Sequence, residues 1–152
     1  MRIRIAIGTL MALGALAFAS VASAQPVSAP VLKWQRGGCF GSYCQTGWYA
    51  SPAVADVNND GQPDVIWGSY DLVALNGATG ALIWRSANAN RVWPGVAVAD
   101  LTGNGSLEVI VGRGSILVVA HRGSDGFVLW SQTAFPGQTG EVRTLAVADL
   151  ER

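Results

Sequence analysis

The chain has 152 residues, of which 50% are hydrophobic and only 13% are charged, and it contains 19 glycines and six tryptophans. Its ten basic and ten acidic side chains balance, which excludes the strongly basic character of many nucleic-acid-binding and membrane-surface proteins. Few charges and many glycines favour short strands joined by turns over a helical bundle.

The first 24 residues have the pattern of a secretory signal peptide. Arg2 and Arg4 form a positive segment, residues 5–18 are mostly apolar, and residues 22–24 (Ala-Ser-Ala) form a small-residue cleavage site. A membrane anchor is the alternative, but the apolar run is short and no stop-transfer charges follow it. We therefore predict a secreted, periplasmic or cell-surface protein that begins near Gln25 and has no membrane segment after cleavage.

Residues 25–50 are predicted to be a leader into the fold, and they contain Cys39 and Cys44. In an exported chain, two cysteines separated by four residues most simply form a disulfide that closes a small surface loop. Such a ring would add about 2 kcal/mol on the chain-entropy estimate. Zinc is a poorer alternative because His121 lies far along the chain.

The exported part keeps eight basic and ten acidic residues, a net charge of −2, which implies no nucleic-acid partner.

Residues 56–64 place oxygen-bearing side chains at a regular spacing. Asp56, Asn58, Asp60 and Asp64 stand at positions 1, 3, 5 and 9 of this stretch, and Gly61 follows at position 6, where it permits a sharp turn. Ca²⁺ collects hard oxygen ligands of this kind, and three carboxylates this close would repel one another without a cation. The pattern predicts a calcium loop; the alternative is a polar turn that holds no ion.

This loop differs from an EF-hand in its ending and its flanks. Position 12 is Trp67 rather than glutamate, and the flanking residues 53–55 and 65–67 are apolar and rich in β-branched side chains without helical periodicity. We therefore expect the loop to join two strands of a hairpin.

The chain repeats itself at intervals of 44 to 49 residues, which is typical of propeller blades. Residues 51–56, 95–100 and 144–149 are similar to one another and end in Asp56, Asp100 and Asp149. Each full period predicts four strands: 53–57, 64–70, 72–76 and 81–86 in the first, and 96–101, 107–112, 116–121 and 127–131 in the second. Four antiparallel strands joined by turns form one blade.

The predicted fold class is therefore all-β, with about two four-stranded antiparallel β-propeller blades and the first strand of a third. Blade 1 covers residues 51–94, blade 2 covers 95–143, and residues 144–152 begin a truncated blade 3. We expect Gly80 and Gly126 at hairpin turns that require a positive φ, and Trp84 and Trp130 as core aromatics against a neighbouring sheet.

From residue 51 onward the chain resembles the FG-GAP/VCBS repeats of integrin-α-like β-propellers, and the segment from Val54 to Asp64 carries the resemblance. In that family the loop between the first two strands of a blade holds Ca²⁺. The resemblance implies Asp56, Asn58, Asp60 and Asp64 as side-chain ligands, with the backbone carbonyl of Gln62 as a further ligand. A weaker similarity links residues 74–84 to the blades of quinoprotein propellers.

The second loop, residues 100–108, departs from this pattern. Thr102 and Asn104 replace the ligands at positions 3 and 5, so that Asp100 and Glu108 are the charged residues. Fewer anionic ligands lower the affinity for Ca²⁺. The loop is either a weak site formed by Asp100, Asn104 and Glu108 or a turn without metal.

No set of residues points to catalysis. His121 is expected to be an exposed strand residue, and Asp71 and Asp125 lie in or beside predicted turns. The leading hypothesis is a non-enzymatic, calcium-binding propeller segment that acts as an adhesion or binding scaffold for a protein or carbohydrate partner. It would be completed by missing blades of the same chain or by self-association. The alternative is the N-terminal part of an enzyme resembling a quinoprotein dehydrogenase or a polysaccharide lyase, with its active site in missing blades.

Overall fold

The structure is a computed structural model that describes residues 28–36 and 50–150. Within these residues it contains strands and turns but no helix, and hence no helix that could cross a membrane. The predicted signal peptide and the predicted pairing of Cys39 with Cys44 lie outside the described residues. The eight strands are β1 (Ala53–Ala55), β2 (Asp64–Gly68), β3 (Leu72–Asn76), β4 (Leu82–Ser86), β5 (Ala97–Ala99), β6 (Glu108–Gly112), β7 (Leu117–Arg122) and β8 (Val128–Thr133).

The strands form two four-stranded antiparallel sheets with the orders β1-β2-β3-β4 and β5-β6-β7-β8. This meander is the strand order of a propeller blade, and it confirms the predicted all-β class with two blades. The inner strands β1 and β5 contact each other. Both consist of Ala-Val-Ala, and these small side chains allow the two sheets to approach closely. The exact blade boundaries at 51–94 and 95–143 stay predictions.

The two sheets also share their register. Ala53 pairs with Ile66 in blade 1 as Ala97 pairs with Ile110 in blade 2. The register between the third and fourth strands shifts at the same place in both blades, after Ala74 and after Ala120. A β-bulge of this kind bends the strand and increases its twist. The sequence repeat is therefore also a repeat of backbone structure.

The turns that follow the third strands confirm the predicted glycine positions. Gly80 and Gly126 both have a φ of 72°, a left-handed conformation that costs glycine little because it has no Cβ. The amide of Gly80 donates to the carbonyl of Asn76 at 2.7 Å, and the amide of Gly126 donates to the carbonyl of Arg122 at 2.9 Å. These bonds close the hairpin that leads into each outer strand.

The hydrophobic core lies between the two blades. It joins Val57, Ile66, Leu72, Ala74 and Trp84 of the first repeat to residues of the second, namely Val109, Val111 and Val119. Trp84 is only 6% exposed, as predicted for a core aromatic, whereas Trp130 at the equivalent position of β8 is 45% exposed. The prediction for Trp130 was wrong: among the described residues no further sheet packs against β8, so its side chain stays partly exposed.

Residues 144–149 repeat the sequence of the inner strands but do not form a strand in the described chain. The inner strand of a blade pairs with the second strand, which follows it in sequence, as β1 pairs with β2. The described residues end at 150, so residues 144–149 have no such partner. Strand formation depends on this pairing as much as on the local sequence.

Candidate metal-binding loops

The first candidate loop connects β1 to β2. Its two ends are held together because Ala55 and Asp64 are partners in the antiparallel ladder. Two residues within it have left-handed backbones, Asn59 with a φ of 59° and Gly61 with a φ of 82°. A Cβ on Gly61 would meet no atom within 4 Å, so backbone conformation rather than space favours glycine here.

Side-chain oxygens of the predicted ligands organise the loop from within. The carboxylate of Asp56 accepts hydrogen bonds from the amides of Asp60 at 3.1 Å and Gly61 at 2.8 Å. Asn58 Oδ1 accepts from the amide of Asp60 at 3.0 Å, and Asp60 Oδ1 accepts from the amide of Gln62 at 2.8 Å. Each carboxylate oxygen has two lone pairs, so these bonds leave capacity for a cation.

Asp64 is the only predicted ligand of this loop that is fully buried, at 0% exposure. Its Oδ2 accepts a hydrogen bond from the amide of Val57 at 3.3 Å, whereas its Oδ1 has no hydrogen-bond partner. Burial raises the pKa of this carboxyl, and the nearby carboxylates of Asp60 and Asp56 raise it further, against the opposing effect of the Val57 amide. A buried carboxylate oxygen without a partner is costly.

The three carboxylates do not form a compact preformed cluster. Within residues 28–36 and 50–150, no group of three or more His, Cys, Asp and Glu side chains has the spacing of a metal site. The loop backbone brings Asp56, Asp60 and Asp64 close enough to interact electrostatically, but backbone amides hold the first two carboxylates. The donor set is chemically suited to Ca²⁺, and the partnerless oxygen of Asp64 fits a cation.

The second candidate loop connects β5 to β6 and is held together more completely by its own backbone. Asp100 Oδ1 accepts from the amides of Thr102, Gly103 and Asn104, and Asp100 Oδ2 accepts from the amide of Gly105 at 2.8 Å. These hydrogen bonds, above all the one from Gly105, lower the pKa of Asp100. Partial desolvation of the carboxylate acts to raise it, with a smaller effect. Four N–H donors therefore serve this carboxylate.

Glu108 stands where blade 1 has Asp64. Its Oε2 accepts from the amide of Leu101 at 2.7 Å, in the same way that Asp64 accepts from Val57 at 3.3 Å. The additional methylene of glutamate allows a shorter bond to this amide. Among the described residues, partnerless buried side-chain oxygens include Asp64 Oδ1 but none from Asp100, Asn104 or Glu108.

The two loops lie on the same side of the blades. Between them is a cavity of about 210 Å³, which Asn59 lines from the first loop and Thr102, Asn104 and Ser106 line from the second. The structure thus brings the two predicted sites close together, although they are 44 residues apart in sequence. Val57, Leu107 and Leu129 also line this cleft, which the sequence repeat alone did not predict.

Two buried charged or titratable side chains were not predicted from sequence. His121, expected to be exposed, is only 1% exposed; its Nδ1 lies 3.0 Å from the carbonyl oxygen of Gly126, and its ring stacks on Trp84. Burial is the main cause that lowers its pKa. The signal that could have revealed this position is its equivalence to Leu75, which is also buried.

Arg113 is fully buried at the end of β6 and joins the blades. Its Nη1 donates to the carbonyls of Tyr70 at 2.7 Å and Asn90 at 2.9 Å, both in the first repeat. Burial lowers its pKa to about 10, against the opposing influence of Asp71. Asp71 itself is buried and accepts from Arg85 Nε at 2.7 Å. Arg113 therefore links the two repeats, whereas Asp71 is paired within the first.

Comparison with known proteins identifies a repeat family for the first sheet. Residues 48–93, which include the first loop and all of the first sheet, match the FG-GAP repeat family. No curated protein matches the chain. Among solved structures, the crystal structure of BamB from Moraxella catarrhalis is similar at 20% identity and a TM-score of 0.46, over 66% of this chain and 30% of that one. The chain thus spans about a third of the length of that protein. Residues 48–93 thus carry an FG-GAP repeat, and the two four-stranded antiparallel sheets of the chain have the strand order of β-propeller blades.

Proposed function

We propose that the loop between β1 and β2 binds one Ca²⁺ ion, which stabilises a non-catalytic scaffold exported from the cell. The side chains of Asp56, Asn58, Asp60 and Asp64 and the backbone carbonyl of Gln62 would hold the ion. Such an ion would neutralise three carboxylates and join both ends of the loop. Its role is structural, since it fixes the hairpin that begins blade 1.

The partnerless Oδ1 of Asp64 is the observation that supports this proposal most strongly. This oxygen is buried, and the carboxylates of Asp56 and Asp60 are close enough to raise the pKa of Asp64. An added cation would satisfy the oxygen and reverse the repulsion among the three acids. The second loop provides the contrast, because amides already satisfy Asp100 there.

The expected stabilisation follows from the affinity. Extracellular calcium modules have dissociation constants of about 10⁻⁴–10⁻³ M. A ligand that binds only the folded state adds about 2.7 kcal/mol at a hundred times its dissociation constant, and roughly half of that at ten times. Calcium at about 10 mM should therefore raise the melting temperature by several degrees.

The test is thermal unfolding of the chain from Gln25 to Arg152, measured with Ca²⁺, with Mg²⁺ and with a chelator. We expect Ca²⁺ to raise the melting temperature and Mg²⁺ to raise it less, because the loop offers too many protein oxygens for the strongly hydrated Mg²⁺. In Asp60→Ala the calcium-dependent rise should largely disappear, since an anionic ligand is removed from the middle of the loop.

Asp100→Ala is the matched control, because it removes the first acid of the second loop. This variant should be less stable without Ca²⁺, since four N–H donors lose their acceptor, but it should keep most of the response to Ca²⁺. An Asp60→Ala protein that responds to Ca²⁺ as strongly as the wild type would refute the proposed site.

A weaker second site formed by Asp100, Asn104 and Glu108 is part of the same proposal. Only two of these residues are anionic, and amides hold both of them, so Ca²⁺ must compete with existing hydrogen bonds. Direct titration of Ca²⁺ should therefore give one stronger and one much weaker binding event. The Asp100→Ala variant should lose only the weaker event.

The scaffold role rests on the FG-GAP match at residues 48–93. We propose an adhesion or binding role toward a protein or carbohydrate in the secreted, periplasmic or cell-surface space. The predicted signal peptide and the calcium chemistry of the loop support this location, because Ca²⁺ is abundant outside the cell. A glycan and protein binding screen with and without Ca²⁺ tests it, and binding lost with the chelator is the expected result.

A further inference from the structure

Arg113 uses only part of its hydrogen-bonding capacity, although it is fully buried. Its Nη1 donates to the carbonyls of Tyr70 at 2.7 Å and Asn90 at 2.9 Å. Its Nε and Nη2 have no hydrogen-bond partner among the described residues. These two nitrogens lie on one edge of the planar guanidinium and direct N–H bonds in parallel, the arrangement that binds both oxygens of a carboxylate. The buried side chain therefore presents a pair of donors without an acceptor.

The charges around Arg113 do not balance. Asp71 is buried and close enough to act on Arg113 electrostatically, but its Oδ2 accepts from Arg85 Nε at 2.7 Å. The ion pairs within the described part of the chain do not include Arg113. Two guanidinium groups thus share one carboxylate, which leaves one positive charge uncompensated. A buried charge without a partner is costly.

The turn that follows β6 differs from its counterpart in blade 1. In blade 2, residues 113–117 separate the last paired residues of β6 and β7, whereas the shorter stretch 69–71 separates those of β2 and β3. Within the longer turn, Ser115 and Ile116 have φ values of 61° and 53°, a left-handed conformation that is uncommon outside glycine and strained for a β-branched side chain. The first residue of the shorter turn is Ser69 rather than an arginine. Both the buried guanidinium and the strained turn are therefore particular to blade 2.

We propose that the Nε–Nη2 edge of Arg113 binds one carboxylate group where the two blades meet. Such a group would accept both partnerless N–H bonds and supply the missing negative charge. Because Arg113 has no exposed surface, the carboxylate must displace residues 114–116, and release of the left-handed strain there would offset part of the cost. Strain of this kind is often stored at ligand sites.

A carboxylate matches this edge better than a phosphate or sulfate group does. It carries a single charge, which equals the excess around Arg113, and its two oxygens lie in one plane with the guanidinium fork. The site is independent of Ca²⁺, because the loop before Glu108 and the turn after Gly112 lie at opposite ends of β6.

Sodium formate, which carries the smallest carboxylate, is the probe for this site. Thermal unfolding of the chain from Gln25 to Arg152 is measured at increasing formate, with the ionic strength kept constant by sodium chloride. A chelator is present so that the calcium loops do not contribute. A ligand that binds only the folded state raises its melting temperature. We expect a rise that saturates with formate, and the absence of any rise would overturn the proposed site.

Two variants identify the arginine that is responsible. Arg113→Lys keeps the positive charge but lacks the pair of parallel N–H donors, so it should lose most of the rise. Arg85→Lys is the matched control, because it makes the same exchange at the guanidinium that is already paired with Asp71, and it should keep the rise. A full response in Arg113→Lys, or its loss in both variants, would contradict the site.

A second measurement needs no variant. The NMR signal of the Arg113 Nε–H group in the wild-type protein should move downfield during the formate titration and stop at saturation, since this N–H gains a charged acceptor. A signal that stays in place overturns the site, even if Arg113→Lys does not fold.

The same titration with aspartate that is chemically blocked at both ends identifies the source of the carboxylate. Saturation with formate alone would assign the site to a small free anion. Tighter binding of the blocked aspartate would assign it to the side chain of a protein segment. Both results support a carboxylate site, whereas saturation with neither compound would refute it.

Discussion

The two blades have one backbone plan, but their outer strands have different surroundings. Trp84 on β4 is 6% exposed and Trp130 on β8 is 45% exposed, although both follow the same kind of glycine turn. Trp84 reaches the turn at Gly123 and Gly126, whereas Trp130 has no following turn to contact among the described residues. Burial of an outer strand therefore depends on the neighbouring blade rather than on the strand itself.

The two loops differ for another reason: their own side chains, rather than a neighbouring blade, determine which oxygens have hydrogen-bond partners. Asp64 leaves one buried oxygen without a partner, whereas Glu108 reaches its amide at 2.7 Å. The carboxylate of Asp100 accepts hydrogen bonds from four backbone amides, and that of Asp56 accepts them from two. The same loop shape is thus held by its own backbone in blade 2 and retains free acceptor capacity in blade 1.

Replacement of the two outer-strand tryptophans should give the largest contrast. Trp84→Ala should lower the free energy of unfolding by about 3–5 kcal/mol, since it opens a cavity in the core between the blades. Trp130→Ala should cost about 1 kcal/mol or less, because that ring is already half exposed. Denaturant unfolding of both variants measures the difference. Equal losses would contradict the view that Trp84 contributes to the packing between the two blades.

A smaller contrast separates backbone strain from lack of space at two glycines. Gly103 and Gly126 have φ values of 70° and 72°, but a Cβ would contact Trp84 only at Gly126. Gly103→Ala should cost about 1–2 kcal/mol through its left-handed backbone. Gly126→Ala should cost a further 1–3 kcal/mol or so, because Trp84 must move. Chemical denaturation can resolve the two, and similar losses would show that the indole adapts freely.

The smallest expected effect is the pH dependence of the free energy of unfolding that arises from His121 in blade 2, where blade 1 has Leu75. Burial lowers the pKa of His121 in the folded protein, so the unfolded chain binds a proton more readily. Stability from the neutral imidazole is complete above its ordinary pKa of 6.5 and is lost as the pH falls from there toward the lowered value. His121→Leu should remove this component from unfolding curves recorded across that range. An unchanged pH profile in the variant would assign the dependence to other groups.

Much of the fold could be predicted from the spacing of a few residues. The alternation of alanine and valine before Asp56 and Asp100 indicated inner strands, and Gly80 and Gly126 marked the turns that have positive φ. These features are local, because a strand period and a left-handed turn depend on neighbouring residues in sequence. The ends of the strands were predicted less accurately. β5 was predicted over residues 96–101 but covers only Ala97–Ala99, because its pairing with β6 extends over these three residues.

Local properties of the chain, namely its repeats, turn chemistry and oxygen spacing, were enough to predict the class of fold, the eight strands of the two blades and the positions of both loops. Tertiary structure decided which of these residues are buried and what they contact. His121 and Arg113 became interior groups because the second blade packs against the first. Asp64 has a buried Oδ1 without a partner because only its Oδ2 accepts from an amide, that of Val57.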